Sequence, residues 1–293
     1  MKKGSILVTG ADGIVGRSLV QHLTSRGYTV TALSRQISQK KEPFKFFGDL
    51  TDDRFLKCLE GSQISSIIHL AASVPHNTRY SASENYSITS QIDKNLSKIQ
   101  REHAAHLTYM STCGLYDRNS PFEKTEENET VIYSPYFQAK FEGEQLFQIN
   151  GDSTILRLSA PIGLKLLDNL VLGKFVKSAI LNEVLNVWGD GTREQNFIDC
   201  QDVNELLVKC VEQKPKGVFN CASPYPISMT SLAQLIIETF GSGKLQFNNC
   251  PDPLEGETAN YSIKKAHDQL GWSPNVPIVE SIKRIKNFGV FEN

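Results

Sequence analysis

The octapeptide TGADGIVG, Thr9 to Gly16, stands between an apolar run, SILVTG at 5–10, and an amphipathic stretch at 14–26. That stretch sets Val15, Leu19 and Leu23 on one face and stops at Gly27. Few folds are open to a strand that feeds a helix through glycines at 10, 13 and 16. The glycines let the backbone turn tightly, let a diphosphate approach it, and let the helix pack close on a sheet. The helix start then offers free N–H groups and the positive end of its dipole to phosphate. The spacing is G-x-x-G-x-x-G, not the standard G-x-G-x-x-G, so the weight rests on the strand–turn–helix context. Gly10, Asp12, Gly13, Ile14, Val15 and Gly16 are the candidate phosphate-binding residues.

The same alternation continues downstream. TVTALS (29–34), FKFFGDL (44–50), SIIHLAA (66–72), HLTYMST (106–112) and STILRLSAP (153–161) read as strands two to six. Residues 84–103 and 134–149 read as helices, with Pro135 suited to a first turn. Short apolar strands alternating with helices predict an α/β fold, a Rossmann-type doubly wound parallel sheet with helices on both faces. After 163 the pattern loosens into a helix at 169–182, a strand–turn–strand in LNVWGDGTREQNFID, a strand at 217–223 and a helix in MTSLAQLIIETFG. Thr230 is the expected cap of that helix and Gly241 its end. The expected organisation is a dinucleotide-binding domain over 1–162, to which the chain returns near 196–224, and a smaller mixed α/β substrate lobe over 163–293.

Composition excludes several classes. A net charge of −1 across 293 residues gives no general field for nucleic acid or an anionic membrane. No apolar run approaches the ~18 residues of a membrane span, and Asp12 with its flanking glycines interrupts what would otherwise resemble a leader. The cysteines at 58, 113, 200, 210, 221 and 250 form no C-x-x-C, so free thiols in a reducing cytoplasm are expected. His103 and His106 have no acidic or thiol partner in ligand spacing, and no metal site is expected.

Four further stretches carry chemistry. Strand two ends in Ser34-Arg35, where an acidic residue would accept from both ribose hydroxyls of NAD. Arg suits a 2′-phosphate and Ser can donate to it, so NADP(H) is favoured over NAD(H). An ordinary surface Arg with either cofactor is the plainer reading. Asp49, with Leu50, follows strand three and can accept from an adenine amino group. Leu70, Ala71 and Ala72 are small enough to leave room for ribose and nicotinamide. At the end of strand five stand Ser111 and Thr112. Tyr136 follows 24 residues after Thr112, and Lys140 comes one helical turn later on the same face. Tyr136 would pass a proton to a carbonyl oxygen, Thr112 would hydrogen-bond that oxygen, and Lys140 would favour the phenolate and lower its pKa. Spacing alone is weak evidence, because Tyr261 and Lys265 share it.

Taken together, these residues resemble the extended short-chain dehydrogenase/reductases, the NAD-dependent epimerase/dehydratase-like branch that modifies nucleotide sugars. The resemblance runs through TGxxGxxG, Asp49-Leu50, Leu70-Ala71-Ala72, Glu84-Asn85, Thr112 before Y-x-x-x-K, LRLSAPIG, WGDGTREQNFIDCQDV and KKAHDQLGWSP, nearly the whole chain. It implies catalytic roles for Thr112, Tyr136 and Lys140, with Lys140 and Tyr136 also touching cofactor, Pro161 lining the cofactor, and Ser73, Thr112, Arg193 and Gln195 facing substrate. It also implies a homodimer built on the helices at 84–103 and 134–149.

The departures bear on substrate. An Asn expected near strand six is Ala160. The diphosphate-binding Arg of R-D-F falls on Gln195, with Arg193 two residues earlier and on the same side of a strand. Either Arg193 replaces it or the diphosphate site is weakened. Cys113-Gly114 stands where dehydratases carry Asp-Glu, which argues against dehydration; Gly114 stands where members resembling GDP-fucose synthase carry a Cys that helps epimerise, so Cys113 is expected to be a packing residue. The leading expectation is an NADPH-dependent reductase of a keto-sugar, probed against a nucleotide-sugar 4-epimerase with bound NAD and, remotely, a non-catalytic NAD(P)-sensing module.

Overall fold

The computed structural model describes residues 4–34, 44–52, 59, 62–75, 79–167, 169–248 and 250–292. Arg35 and Cys58 lie outside them. In chain order the first strands are β1 (Ser5–Thr9), β2 (Thr29–Ser34), β3 (Phe44–Phe47), β4 (Ser66–His69), β5 (His106–Thr112) and β6 (Ser153–Leu158). Between them run the helices α1 (Ile14–Ser25), α2 (Ala82–His103) and α3 (Pro135–Asn150). There follow β7 (Ala160–Ile162), β8 (Lys165–Leu167), α4 (Val171–Ile180), β9 (Val184–Val187), β10 (Glu194–Gln195), β11 (Phe197–Asp199), α5 (Cys200–Gln213) and β12 (Gly217–Cys221). The chain closes with β13 (Ile227–Ser228), α6 (Met229–Phe240), β14 (Lys244–Phe247), α7 (Lys264–Leu270), α8 (Ile278–Phe288) and β15 (Val290–Glu292).

Among the described residues seven strands form one parallel sheet in the order β12-β6-β5-β4-β1-β2-β3. The order reverses at β1 and β4, and an open α/β sheet binds ligands outside the strand carboxyl ends at such a point. Alternation along β1 shows how both faces are covered. Ile6 and Val8 enter one core with Leu19 of α1, Leu206 of α5 and Trp272. Leu7 points the other way, into a core with Leu96 of α2, Tyr109 of β5 and Phe147 of α3. A third core, including Phe175, Leu185, Leu232 and Ile282, holds α4, β9, α6 and α8 together.

The helices that carry site residues have explicit start signals. Ser81 and Glu84 form a reciprocal capping box on α2, which satisfies two orphan donors at once. Ser134 caps α3, Pro135 occupies its first turn, and Gly151 closes it in the left-handed conformation.

Three expectations need correction. The third strand ends at Phe47, short of Asp49. The sixth strand does not run to Pro161. It stops at Leu158, Ser159 N donates to Cys221 O, and from Ala160 the chain leaves the sheet to pair in parallel with β11. The helix at 229 is capped by Ser228, which accepts from Ser231 N at 3.1 Å, while Thr230 donates to Gly191 O. Among the described residues no helix is long and apolar enough to cross a membrane.

Candidate active site

A cleft of about 870 Å³ opens at the carboxyl ends of β1, β2, β4, β5 and β6. Gly10, Asp12, Gly13, Ile14, Val15 and Gly16 form its floor at the start of α1. Gly10 sits at φ +65°, and a Cβ there would lie 2.8 Å from Ala71 N, so only glycine lets the turn approach the end of β4. At Gly16 a Cβ would stand 2.2 Å from Gly10 O and 2.7 Å from Ala11 Cα. No side chain caps α1, and its first turn carries no acid. The N–H groups and dipole there suit a diphosphate.

Gly16→Ala is therefore expected to weaken dinucleotide binding at least tenfold, about 1.4 kcal/mol, by titration of the folded protein. Gly13→Ala, whose Cβ would lie 3.2 Å from Gly10 O, is expected to cost less.

The walls of the cleft are Ser34, Leu50, Leu70, Ala71, Ala72, Ser111 and Pro161, and its inner end holds Thr112, Tyr136 and Lys140. Arg193 and Gln195 reach the same cleft from around β10. Two predicted residues do not line it. Asp49 Oδ1 accepts from Thr51 N at 2.9 Å and from Thr51 Oγ1 at 2.8 Å, so this carboxylate caps a turn. Ser73 is buried, donates from its hydroxyl to Asn85 Oδ1 at 2.5 Å and from its backbone N–H to Thr89 Oγ1 at 3.0 Å, so it pins the chain to α2.

Thr112 Oγ1 accepts from Gly114 N at 3.1 Å, which leaves its O–H to donate to a substrate oxygen. Tyr136 is half-buried, its ring 5.5 Å from that of Phe137. Lys140 is buried and donates from Nζ to Met110 O at 2.8 Å, with Nζ 4.6 Å from the centre of the Tyr109 ring. Burial pushes the Tyr136 phenol up to about 12, and the Asp93 carboxylate adds to this. The expectation that Lys140 lowers it is thus not met. Lys140 is itself held down by burial, against Asp93 and Glu144, which favour its charge. Its ammonium is turned toward Met110 O rather than toward the phenol.

Beside Thr112 a smaller hollow of about 260 Å³ is lined by Cys113, Arg118, Arg193, Glu194 and Glu257. Arg193 Nε donates to Asp252 Oδ2 at 2.7 Å, which fixes the guanidinium at the junction of the two spaces. Cys113 is a packing residue, its thiol buried and donating to Arg157 O. Arg118 was not a sequence candidate. It stacks 4.5 Å from the centre of the Tyr133 ring and 5.3 Å from that of Phe137, and Tyr133 in turn donates to Asp117 Oδ1. The aromatic pair Tyr133 and Phe137, flanking Tyr136, was the signal for it. Arg17 and Lys165, which also line the cleft, were missed. The second Tyr/Lys spacing separates cleanly: Tyr261 packs against Tyr116, while Lys265 Nζ lies over the Phe219 ring.

A glycine cradle for a dinucleotide facing a Tyr–Lys–Thr set defines an enzyme of the short-chain dehydrogenase/reductase type. The chain belongs to the NAD dependent epimerase/dehydratase family, whose family model matches residues 6–222. It is 25% identical to UDP-glucuronic acid decarboxylase 4 of Arabidopsis thaliana over 97% of this chain and 68% of that protein. It is also 25% identical to a putative UDP-glucose 4-epimerase of Methanocaldococcus jannaschii over 97% of each. The UDP-glucose 4-epimerase of Thermotoga maritima, solved with UDP-glucose, shares the fold with a TM-score of 0.86 at 21% identity over 97% of this chain and 98% of that one. The Bordetella bronchiseptica enzyme WbmG, solved with NAD and UDP, does so with a TM-score of 0.85 at 18% identity over 98% and 94%.

Proposed function

We propose that the chain is a nucleotide-sugar 4-epimerase, removing and returning a hydride at a secondary alcohol of its substrate. The observation that carries this reading is that Thr112, Tyr136, Lys140 and Arg193 share one cleft with the uncapped glycine turn. A nicotinamide dinucleotide bound along that turn supplies the hydride acceptor and donor. Tyr136 holds the proton of the sugar hydroxyl as it comes and goes. Thr112 donates to the same oxygen and orients it. Lys140, one turn along α3 and hydrogen-bonded to Met110 O, supplies a cation at the inner end of the cleft. Arg193, oriented by Asp252, presents its remaining N–H groups to a diphosphate. The UDP-sugar names of the relatives support this substrate class.

A second reading, net reduction of a keto-sugar by NADPH, has one observation in its favour. Ser34, buried at the end of β2 and lining the cleft, stands where an NAD-selective acid is expected.

The two part in one assay: UDP-sugars without added cofactor, and 4-keto-sugars with NADPH or NADH. Epimerisation is expected to proceed with no net change in nicotinamide absorbance. Steady NADPH consumption with a keto-sugar would replace it by the reductase, and turnover in neither arm would remove both.

A further inference from the structure

A polar chain is sealed in the core behind the catalytic helix. Asp93, in the middle of α2, is 2% exposed. Its Oδ1 lies 2.9 Å from His69 Nε2, and its Oδ2 accepts from the Tyr109 hydroxyl at 2.9 Å. His69 Nδ1 lies 2.7 Å from Thr9 Oγ1, which accepts from Ala71 N at 3.2 Å. One proton assignment satisfies every member: His69 donates through Nε2 and accepts the Thr9 hydroxyl at Nδ1. Asp93 has no Lys or Arg within 4.0 Å among the described residues.

An uncompensated buried carboxylate is costly, so the charge needs an answer close by. Glu144 on α3 already has one in Arg157. Lys140 is left, its ammonium over the Tyr109 ring whose hydroxyl donates to Asp93. Gly143 makes the approach possible. A Cβ there would lie 2.3 Å from Tyr109 Oη and 2.5 Å from Asp93 Oδ2, so α3 rests directly on the pair.

We propose that Asp93 is a positioning residue for the catalytic pair: a buried carboxylate that, through the Tyr109 ring and the close approach at Gly143, holds Lys140 in place and sets the surroundings in which Tyr136 exchanges its proton. The charged and titratable groups facing it are His69 on β4, Tyr109 on β5, and Tyr136, Lys140 and Glu144 on α3. The field of Asp93 acts on both members of the pair in the same sense, favouring the Lys140 ammonium and opposing the Tyr136 phenolate. The network also ties the catalytic helix to Thr9 and Ala71, two backbone points on the cofactor wall.

The inference rests on Tyr136 being the acid/base of the proposed function, and its test reads the two apart. A fluorinated tyrosine at 136 reports its own titration by fluorine NMR, with no substrate present. In Asp93→Asn its midpoint is expected to fall by about one pH unit, and the acid limb of the rate of sugar oxidation to move down with it. Asp93→Ser, uncharged and smaller, is expected to shift the midpoint the same way, which covers failure of the first variant to fold, whereas Tyr109→Phe keeps the carboxylate and is expected not to lower the midpoint. A midpoint unchanged in a folded Asp93 variant would overturn the proposal and leave Asp93 a packing residue. If the midpoint shifts while Tyr136→Phe retains full activity, the network stands and the acid/base reading falls.

Discussion

Tyr136→Phe is expected to lower kcat about 10³-fold, about 4 kcal/mol of transition-state stabilisation, while leaving cofactor affinity nearly unchanged. The ring is kept, so the packing beside Phe137 survives. What is lost is the hydroxyl proposed to move its proton with the hydride. Burial and Asp93 hold that phenol up to about 12, so it stays protonated through the neutral range and is a ready acid for a ketone. In the direction of sugar oxidation it must first lose its proton, so that rate rises with pH toward its pKa. Lys140 and Thr112 remain in the variant, and the residual rate measures what a charge and a single donor achieve without proton transfer. Single-turnover rates of hydride transfer, read at the nicotinamide band across pH, check both statements. Full activity in the variant would shift the proton transfer away from Tyr136.

What was legible in the sequence was local. Thr9–Gly16 announces itself because a tight turn and a close helix demand glycine at fixed offsets, and the close approaches at Gly10 and Gly16 show that demand. Tyr136 and Lys140 are readable because one helical turn separates them and Ser134-Pro135 starts their helix. What the sequence did not show is which partners these side chains take. Asp49 is the expected acid after a strand, and its Oδ1 accepts from Thr51, two residues on. Ser73 follows the small-residue turn, yet α2 captures its hydroxyl through Asn85. The run STILRLSAP has no break in hydrophobic period at Ser159. The chain nevertheless changes sheets there, because Cys221 ends one pairing edge and Phe197 offers another. The His69–Asp93–Tyr109 chain was hidden for the same reason. Its members lie on three elements, and Asp93 alone looks like one more polar residue of a polar helix. The visible hint was a His in the apolar run SIIHLAA.

The buried pair Glu144–Arg157 is where stability and alignment meet, and its disruption is expected to have the largest effect on the fold. Arg157 Nε and Nη2 donate to Glu144 Oε1 and Oε2 at 3.0 and 2.9 Å, and Ser111 donates to the same Oε1 at 2.5 Å. The guanidinium also lies 4.8 Å from the centre of the Tyr116 ring. Three elements are clamped together: α3 one turn beyond Lys140, β6, and the end of β5 beside Thr112. Glu144→Ala leaves Arg157 buried without its counter-charge, which is expected to cost about 3–5 kcal/mol, lowering Tm by roughly 10 °C. Replacing both partners, Glu144→Leu with Arg157→Met, removes the uncompensated charge and fills the volume, so most of the stability is expected to return. Activity is not expected to return with it. Ser111 then loses the carboxylate that orients it, and α3 loses its ties to β6 and to the end of β5 while keeping the Lys140–Met110 bond, so kcat is expected to stay at least tenfold down through misplacement of Tyr136 and Lys140. Denaturant melts and steady-state rates on the single and double variants separate the two effects. Recovery of both together would mean that the pair is only a stability element, whereas recovery of stability alone shows that it also aligns the catalytic helix.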